Sequence, residues 1–375
     1  MSSLIASGAS SLSNDRVIRT GNRGVTNPMS EFAALMRTIR ESGLLRRRRG
    51  FYIAVFSVIT VAMVGAWFGF AALQGSWFIL LIAAALGIIF TQYAFITHEL
   101  AHRQVFESGK TNDFLGRIMA DLVVGISYSW WMSKHSRHHA NPNIVDKDPD
   151  IETDFIIFQQ DKAEGLVGIN KFMAHRQGYL FFPVLIFEGF NLHRHAFITV
   201  FSKGAVDKRA LEIVLLLVRN ISYVAVLFAF LPLGMAFAFL GVQLAVFGVY
   251  MGASFAPNHK GMPILPRDSK VDFLRRQVLT SRNIRSGHFM NYFMGGLNYQ
   301  VEHHLFPTMP RPHLKRAGEI VREYCESRGI LYTEVSLLSS YRIVIRYLNQ
   351  VGLGAAGDPF DCPAAGRTGY SGLAA

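Results

Sequence analysis

The sequence predicts an all-α membrane protein with four transmembrane helices in two hairpins and a cytoplasmic helical cap. Three observations predict it. Half of the 375 residues are apolar and only 17% are charged, where a soluble domain carries about a quarter. Four apolar stretches have the length of about 20 residues that one bilayer crossing needs. Polar segments carrying clustered histidines follow or separate those stretches. With a mean hydropathy of +0.24, this composition excludes a disordered chain, a collagen-like fibre and a disulfide scaffold.

Residues 1–50 read as a mobile N-terminal tail followed by a basic cytoplasmic helix. The first thirty are Ser/Gly/Asn-rich, and Phe32, Leu35, Met36 and Ile39 then recur at helical spacing before Arg46-Arg47-Arg48-Arg49. A single membrane domain is expected over 51–350. Its first span, 51–73, is uncharged, turns at Gln74-Gly75-Ser76, and is followed by a second at 77–97. The apolar pieces 114–126 and 179–190 are shorter and carry or abut Arg117, Asp121 and Glu188, so they read as interfacial or bundle-packed helices. The second hairpin is 211–231, the turn Pro232-Leu233-Gly234, and 235–255. Arg219 falls inside the third span and is expected to face the bundle or to snorkel. A Gly/Ala/Pro-rich stretch, 351–375, reads as a disordered tail.

The net charge of +12 reads as cytoplasmic loops and anionic headgroups, and no nucleic-acid partner is expected. Arg46–Arg49, Arg103, Lys110, Lys208, Arg209 and Lys260 flank the spans on one side, while neither hairpin turn holds Lys or Arg. The positive-inside rule therefore places both termini and the histidine clusters in the cytoplasm. Cys325 and Cys362 cannot form a framework and fit a reducing compartment.

The clusters are His98-Glu99-Leu100-Ala101-His102, His135-Ser136-Arg137-His138-His139 and Gln300-Val301-Glu302-His303-His304. Positions i, i+3 and i+4 share a helix face, so each cluster can aim its side chains at one point. Gln300 takes the leading place of the third and offers an amide oxygen, directly or through water. His259, just beyond the fourth span, can join the same site. These are too many donors for one ion, and two metals held by imidazole is the economical reading; imidazole suits Fe, Zn, Cu or Ni. His175, His193, His195, His288 and His313 read as solvent-exposed side chains. Two rival readings remain open. One is an intramembrane zinc protease using His98, His102 and Glu99 as H-E-x-x-H; the other is a metal transporter, whose sites lie nearer mid-membrane.

H-E-L-A-H, H-S-R-H-H and Q-V-E-H-H-L-F-P, in this order and between two pairs of spans, resemble the three histidine boxes of the integral-membrane fatty-acid desaturases. The resemblance runs from the first span to His313, and the Gln-led third box is similar to the front-end and acyl-CoA branch found in bacteria. It implies two non-haem Fe ions with O2 as co-substrate. The metal ligands and catalytic residues it implies are His98, His102, His135, His138, His139, His303 and His304, with His259 and Gln300 as further ligands. The acidic run Asp146, Asp148, Asp150, Glu152 and Asp154 is similar to the segment that follows the family's second box. Asp150, Glu99 and Glu302 are candidates to orient the ligating rings. The implied reaction inserts a cis double bond into a long-chain acyl group carried on CoA or on a phospholipid, with hydroxylation on the same scaffold as an alternative. The chain shows no H-P-G-G, G-x-G-x-x-G or cysteine cluster, so an external donor, a ferredoxin or flavin reductase, is expected. The expected location is the plasma membrane of a bacterium.

Overall fold

The computed structural model describes residues 28–152, 156–285 and 287–353. The expected tails at 1–27 and 354–375, Asp154, Cys362 and the side chain of His288 lie outside the described residues. The chain is mostly helical. In order come α1 Pro28–Glu41, α2 Arg49–Leu73, α3 Ile79–Ala101, α4 Gly109–Arg117, α5 Tyr128–Ala140, α6 Gln160–Ala163, α7 Gly168–Ala174, α8 Gln177–Val184 and α9 Glu188–Phe201. Then follow α10 Arg209–Phe230, α11 Leu233–His259, α12 Phe273–Leu279, α13 His288–Phe293, α14 Gln300–Leu305, α15 Leu314–Glu326 and α16 Leu337–Gly352. The strands β1 Asn283–Ile284 and β2 Glu334–Val335 pair in parallel.

Four helices, α2, α3, α10 and α11, are long and apolar enough to cross a membrane. Val58, Val61 and Phe68 of α2 are exposed on the outside of the bundle, as lipid-facing side chains are. The sequence boundaries of the second and fourth spans fall short: α3 continues to Ala101 and α11 to His259. Charge and histidine content end a hydropathy window, but they do not end a helix whose polar last turns are buried by neighbours. His98 and His259 are therefore part of the two longest-buried helices rather than of loops after them.

Glycines bring the elements on α11 close. A side chain at Gly189 would strike the Leu244 carbonyl, and one at Gly252 would strike the side chain of Leu185. Gly87 of α3 meets α11 in the same way, with a Cβ there only 2.8 Å from the Gln243 carbonyl oxygen. Such close approach of backbones is the usual use of small residues between membrane helices.

The apolar piece expected at 114–126 is α4 continued as one π-helical stretch, Ile118–Val124, that ends at Gly125 with φ 93°. Its C-terminal carbonyls are buried and need donors. Arg219 of α10 supplies one, its Nε donating to Val123 O at 2.9 Å while the guanidinium lies over Phe90 and Tyr223. The charge inside the third span thus faces the bundle and closes a helix end.

The helix carrying the second cluster is fixed at its start by carboxylates. Glu212 accepts from Ser127 Oγ at 2.6 Å, Ser129 N at 3.0 Å and Ser129 Oγ at 2.6 Å, and Asp121 accepts from Tyr128 N at 2.8 Å. Acidic groups at a helix N-terminus match its unpaired N–H groups and its dipole. The third cluster rests on a separate apolar core formed by α1, α12, α14 and α15, with Leu35, Ile39, Leu274, Val301, Phe306 and Val321 buried in it.

Candidate metal centre

His98 and His102 leave one face at the end of α3; His135, His138 and His139 come from α5; His303 and His304 from α14; and His259 is the last residue of α11. The fold brings all eight together in two groups. In the first, nitrogens of His98, His102, His135, His139 and His303 lie within 4.8 Å of one another. Their Nε2–Nε2 separations are 3.1 Å for His98–His135, 2.8 Å for His102–His135 and 3.1 Å for His139–His303. The second group is His138, His259 and His304, with His259 Nε2 3.2 Å from His138 and 3.1 Å from His304. The groups adjoin, because the rings of His139 and His304 stack at 4.2 Å.

The outer nitrogens of the second group decide what sits between the inner ones. His259 Nδ1 donates to the Thr280 carbonyl at 2.9 Å; a carbonyl only accepts, so the proton is on that nitrogen. Gln277 donates its amide N to the His139 carbonyl at 3.0 Å, which turns its oxygen to His304 Nδ1 at 2.9 Å. His138 Nδ1 lies 3.0 Å from an Asp148 carboxylate oxygen. With these protons outward, the Nε2 atoms of His259 and His304 face each other as acceptors, 3.1 Å apart. Gln300 offers an amide N–H to His259 Nε2, but the facing lone pairs of His259 and His304 still repel unless a cation lies between them. A metal–nitrogen bond of about 2.1 Å with ligands at right angles separates nitrogens by about 3 Å, close to the spacing found. The donor set therefore fits a metal ion.

Four of the first group's rings and His304 of the second are held in the neutral form that ligation needs. Burial pushes His102 down to about 3. His135, His139, His303 and His304 are held well below the ordinary histidine range by burial and then by neighbouring imidazoles. They are neutral near pH 7, as ligands must be. His138 is the exception: burial lowers it, but Asp148 and Asp150 outweigh that and raise it.

The three carboxylates singled out in the sequence take different places. Asp150 lies 3.5 Å from His138 Nδ1 and pairs with Lys134 at 2.9 Å, while Asp148, also bonded by the backbone N of Asn143 and Asp150, makes the closer contact. Glu99 faces away from the rings in a buried bidentate pair with Arg311 at 2.6 and 2.5 Å. Both oxygens are thereby occupied, and the general base that an H-E-x-x-H protease requires is not available. Glu302 accepts from Asn283 at 2.7 Å and Tyr332 at 2.9 Å, and burial pushes it up to about 7. Gln300 presents its amide N 2.9 Å from His259 Nε2, and its oxygen accepts from Asn258 at 3.1 Å.

Of the histidines read as solvent-exposed, His175, His193, His195 and His313 are all half-buried. His193 donates from Nδ1 to the Gly189 carbonyl at 2.7 Å, and burial pushes it down to about 4. His195 stacks on Trp130. None joins either group. Sequence reasoning missed Asp148, Thr280, Gln277 and Arg311 as partners. It also missed Trp131, whose ring stacks on His135 at 4.3 Å. Trp131 precedes His135 by one helical turn, which was a usable signal; Gln277 and Thr280 carried none, being ordinary polar residues of a short helix.

Four membrane-length helices under two adjoining histidine-walled sites define a membrane-bound metalloprotein. The description "Fatty acid desaturase" matches residues 75–336. The chain is 32% identical over 289 residues to an acyl-lipid (9-3)-desaturase of Physcomitrium patens, covering 74% of this chain and 54% of that protein. It is 27% identical over 346 residues to delta(8)-fatty-acid desaturase 2 of Arabidopsis thaliana, covering 88% and 76%. It is 26% identical over 345 residues to a delta(6)-fatty-acid desaturase of Caenorhabditis elegans, covering 86% and 75%. The match thus spans about half the length of the Physcomitrium protein. This chain belongs to the fatty acid desaturase family, a family of iron-dependent, oxygen-using oxidoreductases of lipid metabolism.

Proposed function

We propose that this chain introduces one cis double bond into a long-chain acyl group at a di-iron centre, with O2 and two electrons. The observation that carries the reading is the pair of adjoining imidazole groups, in which ring nitrogens of five and of three histidines converge within 4.8 Å of one another. Two non-haem irons are held by His98, His102, His135, His139 and His303 on one side and by His138, His259 and His304 on the other, with Gln300 beside the second. The relatives named above are named as acyl-lipid and fatty-acid desaturases, which supports an acyl chain as substrate.

Bound iron supplies oxygen activation and removal of hydrogen from unactivated methylenes, chemistry that no side-chain acid or base performs. The residues of the chain position and shield. Asp148, the Thr280 carbonyl and Gln277 fix the tautomers and ring planes of His138, His259 and His304, as outer partners of ligating histidines do. Trp131 and Phe255 come within 5.5 and 6.3 Å of the His98 ring and wall it with apolar surface, against which methylenes pack and from which water is excluded. The acyl chain enters from the side of the spans.

The membrane domain on this reading is 51–350; the flanking Lys and Arg support a cytoplasmic side for both termini and the metal centre, and the proposed location is a bacterial plasma membrane. An external ferredoxin or flavin reductase delivers electrons there. Expression in a host with a matched donor, followed by gas chromatography–mass spectrometry of its fatty acids, tests the reading. A new unsaturated acid, absent from a His139→Ala control, is the expected result. A new hydroxy acid instead would replace desaturation by hydroxylation, and an unchanged profile with verified iron and electron transfer would reject acyl oxidation.

A further inference from the structure

The arginine run before α2 does more than mark topology. Arginines that serve only as a charge signal would splay into water, yet here Arg46, Arg47 and Arg49 line a common pocket of about 590 Å³ with Leu45 and Glu107. Arg47 is drawn inward: it is half-buried, and its Nη1 donates to the Thr308 carbonyl at 2.7 Å. Arg49 meets Glu107 only at 3.4 Å, with both side chains largely exposed, an ion pair worth little. The pocket therefore holds three guanidinium groups against one carboxylate. No side chain caps the start of α2, so the positive end of a 25-residue helix adds to the same field.

The pocket's place is equally specific. Arg49 is the first residue of the first span, which puts the opening at headgroup depth if that span crosses as proposed. Glu107 follows His102 by five residues, and Thr308, which accepts from Arg47, follows His304 by four, so at about 3.6 Å per residue the backbones of Glu107 and of this Arg47 partner lie within about 18 and 14 Å of those of the two histidines. A long acyl chain anchored here reaches the metal centre.

We propose that this pocket binds the phosphate of an amphiphile's headgroup at the membrane surface. Arginine is suited to it, since its planar fork meets phosphate oxygens two at a time, and a phosphate carries the negative charge that the pocket lacks. The same chemistry has two sources, a bilayer phospholipid or the CoA carrier of the substrate. The proposal rests on the membrane placement of α2, not on the metal chemistry.

Isothermal titration calorimetry on the full chain in neutral detergent tests it, with dihexanoyl phosphatidic acid in one arm and coenzyme A in the other. Saturable binding of at least one is expected, weakened about five-fold for each of Arg47→Gln and Arg49→Gln. Arg47→Lys keeps the charge and the topology signal but loses the fork, and is expected to bind more weakly than wild type; Lys315→Gln, on α15, is expected to bind as wild type does. Binding of phosphatidic acid alone assigns the pocket to a bilayer lipid, and binding of coenzyme A assigns it to the acyl carrier. No saturable binding of either, or unchanged binding in the Arg47 and Arg49 variants, overturns the proposal. The readout needs neither iron nor turnover, so a failure here is distinct from a failure of the desaturase reading.

Discussion

The two histidine groups are built by different means. The second, His138, His259 and His304, is held by hydrogen bonds: each outer nitrogen has a partner, Asp148, the Thr280 carbonyl or Gln277. The first is held largely by ring packing. Trp131 stacks on His135 at 4.3 Å, His98 and His303 lie 4.6 Å apart, and His139 Nδ1 is buried with no hydrogen-bond partner among the described residues. A hydrogen bond fixes a tautomer and raises the basicity of a ligand, whereas packing fixes only the plane of the ring. The two proposed ions are therefore expected to differ in how tightly they are held, the second group retaining its ion longer.

The largest effect that sharpens this contrast comes from the ligands themselves. His259→Ala and His303→Ala are each expected to abolish turnover, His259→Ala costing one iron and His303→Ala the other, as read by elemental analysis. Next comes the buried Glu99–Arg311 pair, which ties the first cluster to the segment after the third. Arg311→Met leaves a buried carboxylate unpaired and is expected to cost about 3–5 kcal/mol of stability, seen as a fall in Tm; adding Glu99→Gln should recover most of it. Asp148→Asn is expected to lower iron affinity by about 10–100-fold, with the loss confined to one of the two ions in a chelator titration. The smallest effect is Trp131→Leu, where loss of an aromatic contact worth about 0.5–1.5 kcal/mol predicts a shift of about two- to ten-fold on the other ion. If Asp148→Asn and Trp131→Leu drained both ions equally, the contrast between the groups would be lost.

Much of this was legible in the sequence, for particular reasons. The spans showed because lipid demands long runs such as 51–73, and the members of the two histidine groups showed because imidazoles at i, i+3 and i+4 must share a face. The partners of those rings were hidden. Asp148 sits in a run of alternating acidic residues, and only the turn at Asn143 and Asp150, whose backbone N–H groups bond it, selects it over its neighbours. Glu99 reads as an outer partner because it lies between His98 and His102, but a helix turns adjacent residues to different faces, and its own face meets Arg311, 212 residues away. Arg219 likewise made sense only once the buried end of the π-helical stretch was seen beside it.

In the proposed centre eight imidazoles hold two irons rather than one zinc. The direct measurement is the metal content of the detergent-purified chain handled without oxygen, with Mössbauer spectroscopy of 57Fe-grown protein to resolve the two environments. About two irons per chain are expected, in two distinguishable sites, falling to one in His259→Ala. One zinc per chain with negligible iron would contradict it.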